Sequence, residues 1–176
     1  MRNHSTRKLV LTAVFTALVC IVTFTVKFPV PGTGGGYVNA GDGVIYAAAI
    51  ALGGPLAAVA AGVGSALADL FAGYALYAPA TLIIKAVMAL VVGLAHGRVR
   101  NWLLWLGLMV AGSLVMTVGY FIYESLFFTL LGARAGSAVA NLPYNLIQAA
   151  GGAVIGMVLA AVVDKVIPPQ WRETLK

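Results

Sequence analysis

Charged residues are scarce in this chain of 176 residues, at 9% against the roughly 25% of an ordinary soluble domain. That shortage, with 61% apolar residues and a mean hydropathy of +0.98, excludes a water-soluble globular reading. A single cysteine, Cys20, excludes a disulfide scaffold, and the apolar content excludes disorder. Histidine occurs only at His4 and His96, far apart and unaccompanied, so no metal site is expected. No glycine loop runs into Lys and Ser/Thr in the phosphate-cradling manner, and Gly34-Gly35-Gly36 lack that context, so the chain is not expected to bind ATP itself. No nucleophile–base pair stands out within the apolar blocks, and no enzyme is expected. Short alternating segments of the kind that build a transmembrane β-barrel are missing too. The net charge of +6 is spread over the ends of apolar blocks and not gathered on one polar face, which argues against a nucleic-acid partner.

What is present is a series of long apolar blocks, several reaching the roughly 20 residues that cross a bilayer as helix. Six helices are expected, at about residues 9–26, 43–52, 56–72, 80–95, 102–131 and 138–163. The fold class that follows is an all-α integral membrane protein, one domain over residues 1–176, built as a bundle of six transmembrane helices. The first block follows a basic start but meets no small-residue cleavage site, so it reads as a retained helix. Between the first two blocks, Lys27 to Asp42 carries Pro29, Pro31 and a glycine run that favour turns. With six crossings the termini share a side. That side holds Arg2, Arg7, Lys8, Arg98, Arg100, Lys165, Arg172 and Lys176, whereas the other holds Lys27 and Arg134, and the positive-inside rule places both termini in the cytoplasm.

Polar side chains inside a bilayer are costly and face a cavity or one another. Here they gather toward the outer ends of the helices. Thr81, Lys85 and Met88 lie at i, i+4 and i+7, and so do Asn141, Asn145 and Gln148. Tyr120, Glu124 and Phe127 nearly repeat that spacing, with Tyr123 beside them. One face from each of three helices therefore converges on a half-polar, half-aromatic cavity open to the outside, with Tyr37 and Asn39 on the loop that covers it. The alternative is structural: a buried Lys85–Glu124 ion pair and amides that hold helices together. Asp42, at a helix start, reads most simply as an N-cap. Asp69 reads as an anchor for the turn from Gly73 to Pro79, and Tyr74 and Tyr77 as members of an interfacial aromatic belt. Ala13 and Ala17 form a small-xxx-small pair on the first helix, which admits close approach of another helix.

The stretch from Tyr37 to Tyr46 (YVNAGDGVIY), then Leu52-Gly-Gly-Pro55, Gly64 to Tyr74 (GSALADLFAGY), Tyr77-Ala-Pro79 and Ile84-Lys85 resembles the S components of energy-coupling factor (ECF) vitamin transporters. The branch it resembles is the riboflavin type, which includes pyridoxine and hydroxymethylpyrimidine members. The motifs lie between about Asn39 and Gly97, and the six-helix plan covers the whole chain. The resemblance implies a substrate-binding subunit in a prokaryotic plasma membrane that captures a vitamin on its outer side. It also implies partners: a transmembrane coupling subunit and two cytoplasmic ATPases, which use the ATP, so the chain itself needs no cofactor. In that family an Ala-xxx-Ala motif on the first helix faces the coupling subunit, and Ala13 and Ala17 match it. The family mechanism is toppling of the whole subunit with its occluded ligand.

The expected ligand contacts are thus Lys85, Glu124, Asn141, Asn145 and Gln148, with Tyr120, Tyr123, Phe127 and Tyr37 stacking on or closing over a flat ring, and Asn39 closing the loop. Lys85→Ala is expected to weaken binding without unfolding. Pyridoxine or hydroxymethylpyrimidine is favoured as ligand, riboflavin next. The rival readings are a membrane scaffold without a small-molecule ligand and, less supported, a membrane enzyme.

Overall fold

In a computed structural model, residues 2–31, 36–95, 101–130 and 137–166 are described, with side chains from Ser5 onward except those of residues 127–129, 137 and 164. Six helices stand among them: α1 (Arg2–Thr25), α2 (Gly41–Leu52), α3 (Gly54–Phe71), α4 (Ala78–Gly93), α5 (Trp102–Leu130) and α6 (Ser137–Val166). A small antiparallel hairpin joins α1 to α2, with β1 (Lys27–Pro29) paired to β2 (Tyr37–Asn39) in the register Lys27–Asn39, Phe28–Val38 and Pro29–Tyr37. The sequence pattern had this stretch as a loop. Three-residue strands carry too little alternation to be read from sequence.

The ends of the helices follow local chemistry. α2 stops at Gly53, whose φ of 78° is open to glycine and strained for other residues. Gly53 then accepts the first backbone bond of α3, from Ala57 N–H at 3.0 Å, while Pro55 sits in the first turn where its missing N–H costs nothing. α3 ends in a Schellman turn. Gly73 takes φ 84°, Tyr74 N–H bonds Asp69 C=O at 2.8 Å, and Gly73 N–H bonds Leu70 C=O at 3.2 Å. α1 begins at Arg2, seven residues before the apolar run, because a helix does not end where its apolar residues do.

Four helices hold spans long and apolar enough to cross a membrane: Ser5–Thr25, Gly54–Phe71, Trp102–Leu126 and Ala138–Val163. The 12 residues of α2 and 16 of α4 rise about 18 and 24 Å, short of a hydrocarbon layer of roughly 30 Å. All twelve residues of α2 are buried. It lies at the centre, packed by α1, α3, α4 and α6, while α1–α3, α3–α4, α4–α5 and α5–α6 contacts close the wall around it. The outer faces carry exposed Leu, Ile and Val on every helix of that wall, such as Ile21, Val59, Ile83, Leu114 and Val158, a surface suited to lipid. Among the charges that set the expected orientation, Arg98, Arg100, Arg134, Arg172 and Lys176 lie outside the described residues. So do His96, Gly34 and Gly35, and the side chains of Arg2 and His4.

Close backbone approach holds the wall together. A Cβ built on Gly62 would stand 2.7 Å from the Leu82 carbonyl of α4, and one on Gly64 would stand 2.6 Å from the Thr16 carbonyl of α1. Neither carbonyl can swing aside as a side chain would. Gly62→Val is therefore expected to cost about 1–3 kcal/mol through overpacking at the α3–α4 contact, read as a lower thermal midpoint in detergent. An unchanged midpoint would show that the two helices separate without penalty.

Candidate functional site

The polar residues of α2, α4 and α6 meet at one end of the bundle. Asp42 lies in the first turn of α2, where the helix dipole favours a negative charge. It is 1% exposed and forms an ion pair with Lys85 of α4, itself 2% exposed. The second Asp42 oxygen accepts from Gln148 Nε2 of α6 at 2.8 Å. Gln148 Oε1 in turn accepts from the Asn39 backbone N–H at 2.9 Å and from its side-chain amide at 3.3 Å. Asn39 Oδ1 then accepts the Gly41 N–H at 2.9 Å, which caps α2. Met116 Sδ of α5 completes the surroundings, 3.0 Å from Lys85 Nζ and 3.3 Å from Gln148 Nε2. This chain of contacts ties the hairpin and three helices to one buried charge pair. Gly152 lets α6 come this close, because a Cβ there would lie 2.7 Å from Asp42 Cβ.

A second cluster forms around Glu124 of α5, which is 4% exposed. Its Oε1 accepts from Asn141 Nδ2 at 2.8 Å and from the Tyr77 hydroxyl at 3.3 Å. A third contact closes the hairpin: the Tyr37 hydroxyl donates to Asp69 Oδ1 of α3. Burial first, and then the neighbouring Asp69 carboxylate, raise the Tyr37 pKa, so this phenol remains a donor across the accessible pH range.

Between these clusters lies a cavity with about 550 Å³ of space around it, a figure that takes in its open mouth and the solvent there. Tyr37, Tyr74, Tyr77, Tyr120 and Tyr144 supply aromatic wall. Thr81 and the Tyr120 hydroxyl are bonded at 3.0 Å, and Lys85 Nζ sits 5.6 Å from the Tyr120 ring centroid. Several polar atoms here are buried without any hydrogen-bond partner: Thr23 Oγ1, Ser65 Oγ, Asp69 Oδ2, Glu124 Oε2, Asn141 Oδ1 and Asn145 Nδ2. All six of those residues line the cavity, and of the unpartnered buried side chains among the described residues only Thr117 does not. Buried polar groups are ordinarily satisfied, and six orphans around one space leave it open to polar partners.

The structure brings together Lys85, Glu124, Asn141, Asn145, Gln148, Tyr120, Tyr37 and Asn39 on the cavity wall. Several expectations are corrected. Lys85 pairs with Asp42, not Glu124, and Asp42 is an ion-pair partner rather than a capping side chain; Ala40 occupies the N-cap with no side-chain bond of its own. Asp69 holds Tyr74 through its backbone carbonyl, as expected of an anchor, but sends its side chain to Tyr37 and the cavity. Tyr74 and Tyr77 face the cavity and not a lipid belt. Tyr123 stands behind that wall, its ring 5.7 Å from Tyr77 and its hydroxyl on the Leu76 carbonyl at 2.5 Å. The Phe127 side chain lies outside the described residues. Thr23, Ser65 and Tyr144 were missed. Ser65 and Asp69 at i, i+4 on α3 carried the same signal as the other stripes. Ala13 and Ala17 are exposed on α1, away from the cavity, and line a shallow apolar groove with Thr16, Cys20, Ile21 and Leu67.

Residues 3–165 match the family described as ECF-type riboflavin transporter, S component. The chain is 34% identical over 165 residues to the thiamine precursor transporter HmpT of Lactococcus lactis subsp. cremoris (strain MG1363), covering 94% of this chain and 92% of that one. It is 37% identical over 152 residues to a Pyrococcus woesei protein described as an uncharacterized protein in the gap 3′ region, covering 86% and 97%.

The ion pair revises the expected outcome at Lys85. Removing one partner strands a buried carboxylate, so Lys85→Ala is expected to destabilise the fold by about 3–5 kcal/mol. The double variant Lys85→Met/Asp42→Leu, which removes both charges, should lose much less. Thermal unfolding of both in detergent checks this, and an equal loss for the two would mean that the pair is not coupled.

Proposed function

The chain belongs to the family of ECF-type riboflavin transporter S components, and from that membership we propose that it is the substrate-capturing subunit of a vitamin importer, with the cavity between the hairpin and α3–α6 as its binding site. The observation that carries the reading is the set of six unpartnered buried polar atoms around one tyrosine-walled space. A flat heterocycle with several nitrogen and hydroxyl groups satisfies such atoms while its faces lie against the aromatic rings. Hydroxymethylpyrimidine is the favoured ligand, with pyridoxine beside it and riboflavin next. The similarity to a thiamine precursor transporter supports this order.

In this reading the six helices sit in the plasma membrane of a prokaryote with both termini cytoplasmic. α2 is enclosed by its neighbours, so its shortness is not a cost in lipid. Glu124, Asn141 and Asn145 contact the ligand directly. Gln148 and Lys85 hold the wall and the hairpin, and Tyr37 and Asn39 close it. Chemical turnover plays no part. Delivery relies on a transmembrane coupling subunit and two cytoplasmic ATPases, with the loaded subunit toppling inward. Ala13 and Ala17 on the exposed α1 groove offer the small-residue surface on which the coupling subunit packs.

Two experiments test this. Purified protein titrated calorimetrically with hydroxymethylpyrimidine, pyridoxine and riboflavin should bind one of them at equal stoichiometry. Glu124→Ala should weaken that ligand about 10- to 150-fold, the effect of losing a charged hydrogen bond worth about 1.5–3 kcal/mol. No binding of any of the three, with stability lost on mutation, would favour a scaffold. Separately, Ala13→Leu and Ala17→Leu should leave binding intact and abolish co-purification with the coupling subunit. A complex recovered in full would refute the assignment of that groove.

A further inference from the structure

Lys85 is the one cationic side chain on the cavity wall among the described residues, and it is already spent on Asp42. Lys27, in the hairpin, lies over the Phe24 ring at 4.2 Å and 5.9 Å from the ring of Tyr37, behind the wall and not part of it. Among the unpartnered atoms Asn141 Oδ1 can only accept, because its amide is oriented by donating its nitrogen to Glu124, and Asp69 Oδ2 and Glu124 Oε2 accept when their carboxyls are ionised. The hydroxyls of Thr23 and Ser65 can serve either way, which leaves Asn145 Nδ2 as the dedicated donor. A cavity of this make-up wants N–H and O–H groups from its guest and has no charge to offer an anion.

We propose that Asp42 is a specificity-determining residue: by neutralising Lys85 it makes the cavity selective for an uncharged or protonated, donor-bearing N-heterocycle and closed to the phosphate ester of the same molecule. This rests on the function proposed above and narrows its substrate class. The mechanism is electrostatic. A lysine without Asp42 is a phosphate-binding group, a compact point charge on a flexible stem. Held against a carboxylate in a water-poor interior, its field is cancelled at short range, and an incoming phosphate finds no unpaired cation on the described wall. Gln148 reinforces the arrangement by holding the second Asp42 oxygen, which keeps the carboxylate from turning away from Lys85.

The test compares hydroxymethylpyrimidine with its monophosphate by titration calorimetry on the full chain in detergent, with pyridoxine and its phosphate used in the same way should pyridoxine prove the ligand. The alcohol is expected to bind at least 100-fold more tightly than the ester. Asp42→Asn, which keeps the amide contact and releases the lysine charge, should tighten binding of the monophosphate at least tenfold in absolute terms. If Asp42→Asn does not fold, Glu124→Gln, which removes a wall carboxylate and spares the ion pair, must tighten monophosphate binding as well. Equal affinity of the wild type for alcohol and ester overturns the inference while leaving the vitamin-binding reading standing. So does a folded Asp42→Asn protein whose monophosphate affinity has not moved. Failure of every alcohol and every ester to bind overturns the vitamin-binding reading itself, and this inference with it.

Discussion

The ion pair between Lys85 and Asp42 is the constraint on which the rest of the arrangement depends. Two opposite charges inside an apolar bundle are tolerable only together and only when their remaining hydrogen-bonding capacity is met. Meeting it recruits Gln148 from α6, and Gln148 recruits Asn39 from the hairpin, which caps α2. The positions of three helices and the covering hairpin are thereby fixed relative to one another by a single charge requirement. The orphaned atoms lie just beyond this satisfied cluster, so the molecule contains side by side a saturated polar centre that specifies geometry and an unsaturated one.

The two clusters divide the work by element. α2 and α4 supply the charge pair and are the two short helices, and α2 is buried along its whole length. α5 and α6 are the longest and supply Glu124, Asn141 and Asn145 near the ends that meet at the cavity, while their flanks carry exposed aliphatic residues toward the surroundings. α1 contributes Thr23 to the cavity at one end and presents Ala13 and Ala17 outward nearer the other. Site and apolar groove are thus separated along one helix, which lets substitutions in the groove be read independently of the cavity.

Much of this was legible in the sequence, for physical reasons. Helices long enough for a bilayer leave apolar runs that need no tertiary information, and all six appear within a few residues of the expected ends apart from the polar start of α1. Stripes at i, i+4 and i+7 were legible because helical geometry alone puts such residues on one face; that found Lys85 and the Asn141–Asn145–Gln148 row. What could not be read was pairing. Asp42 and Glu124 are both plausible partners for Lys85 by depth, and only the packing of α2 against α4 decides between them. Tyr123 failed for a related reason: it shares a helix flank with Glu124, but a helix face spans enough arc that one member looks into the cavity and its neighbour looks past it. The hairpin was hidden because its strands are too short to show a period.

The position of Gln148 has a consequence for the order in which the protein is made. Synthesis runs from α1 to α6, so a chain whose first five helices have emerged already owns both members of the charge pair and can settle α2 against α4. It does not yet own the residue that joins that pair to the hairpin, nor the amides at 141 and 145. The cavity wall is therefore completed only when α6 joins the other five helices. A truncated product that lacks α6 is left with an assembled charge centre and without the Gln148 amide that ties the hairpin to it.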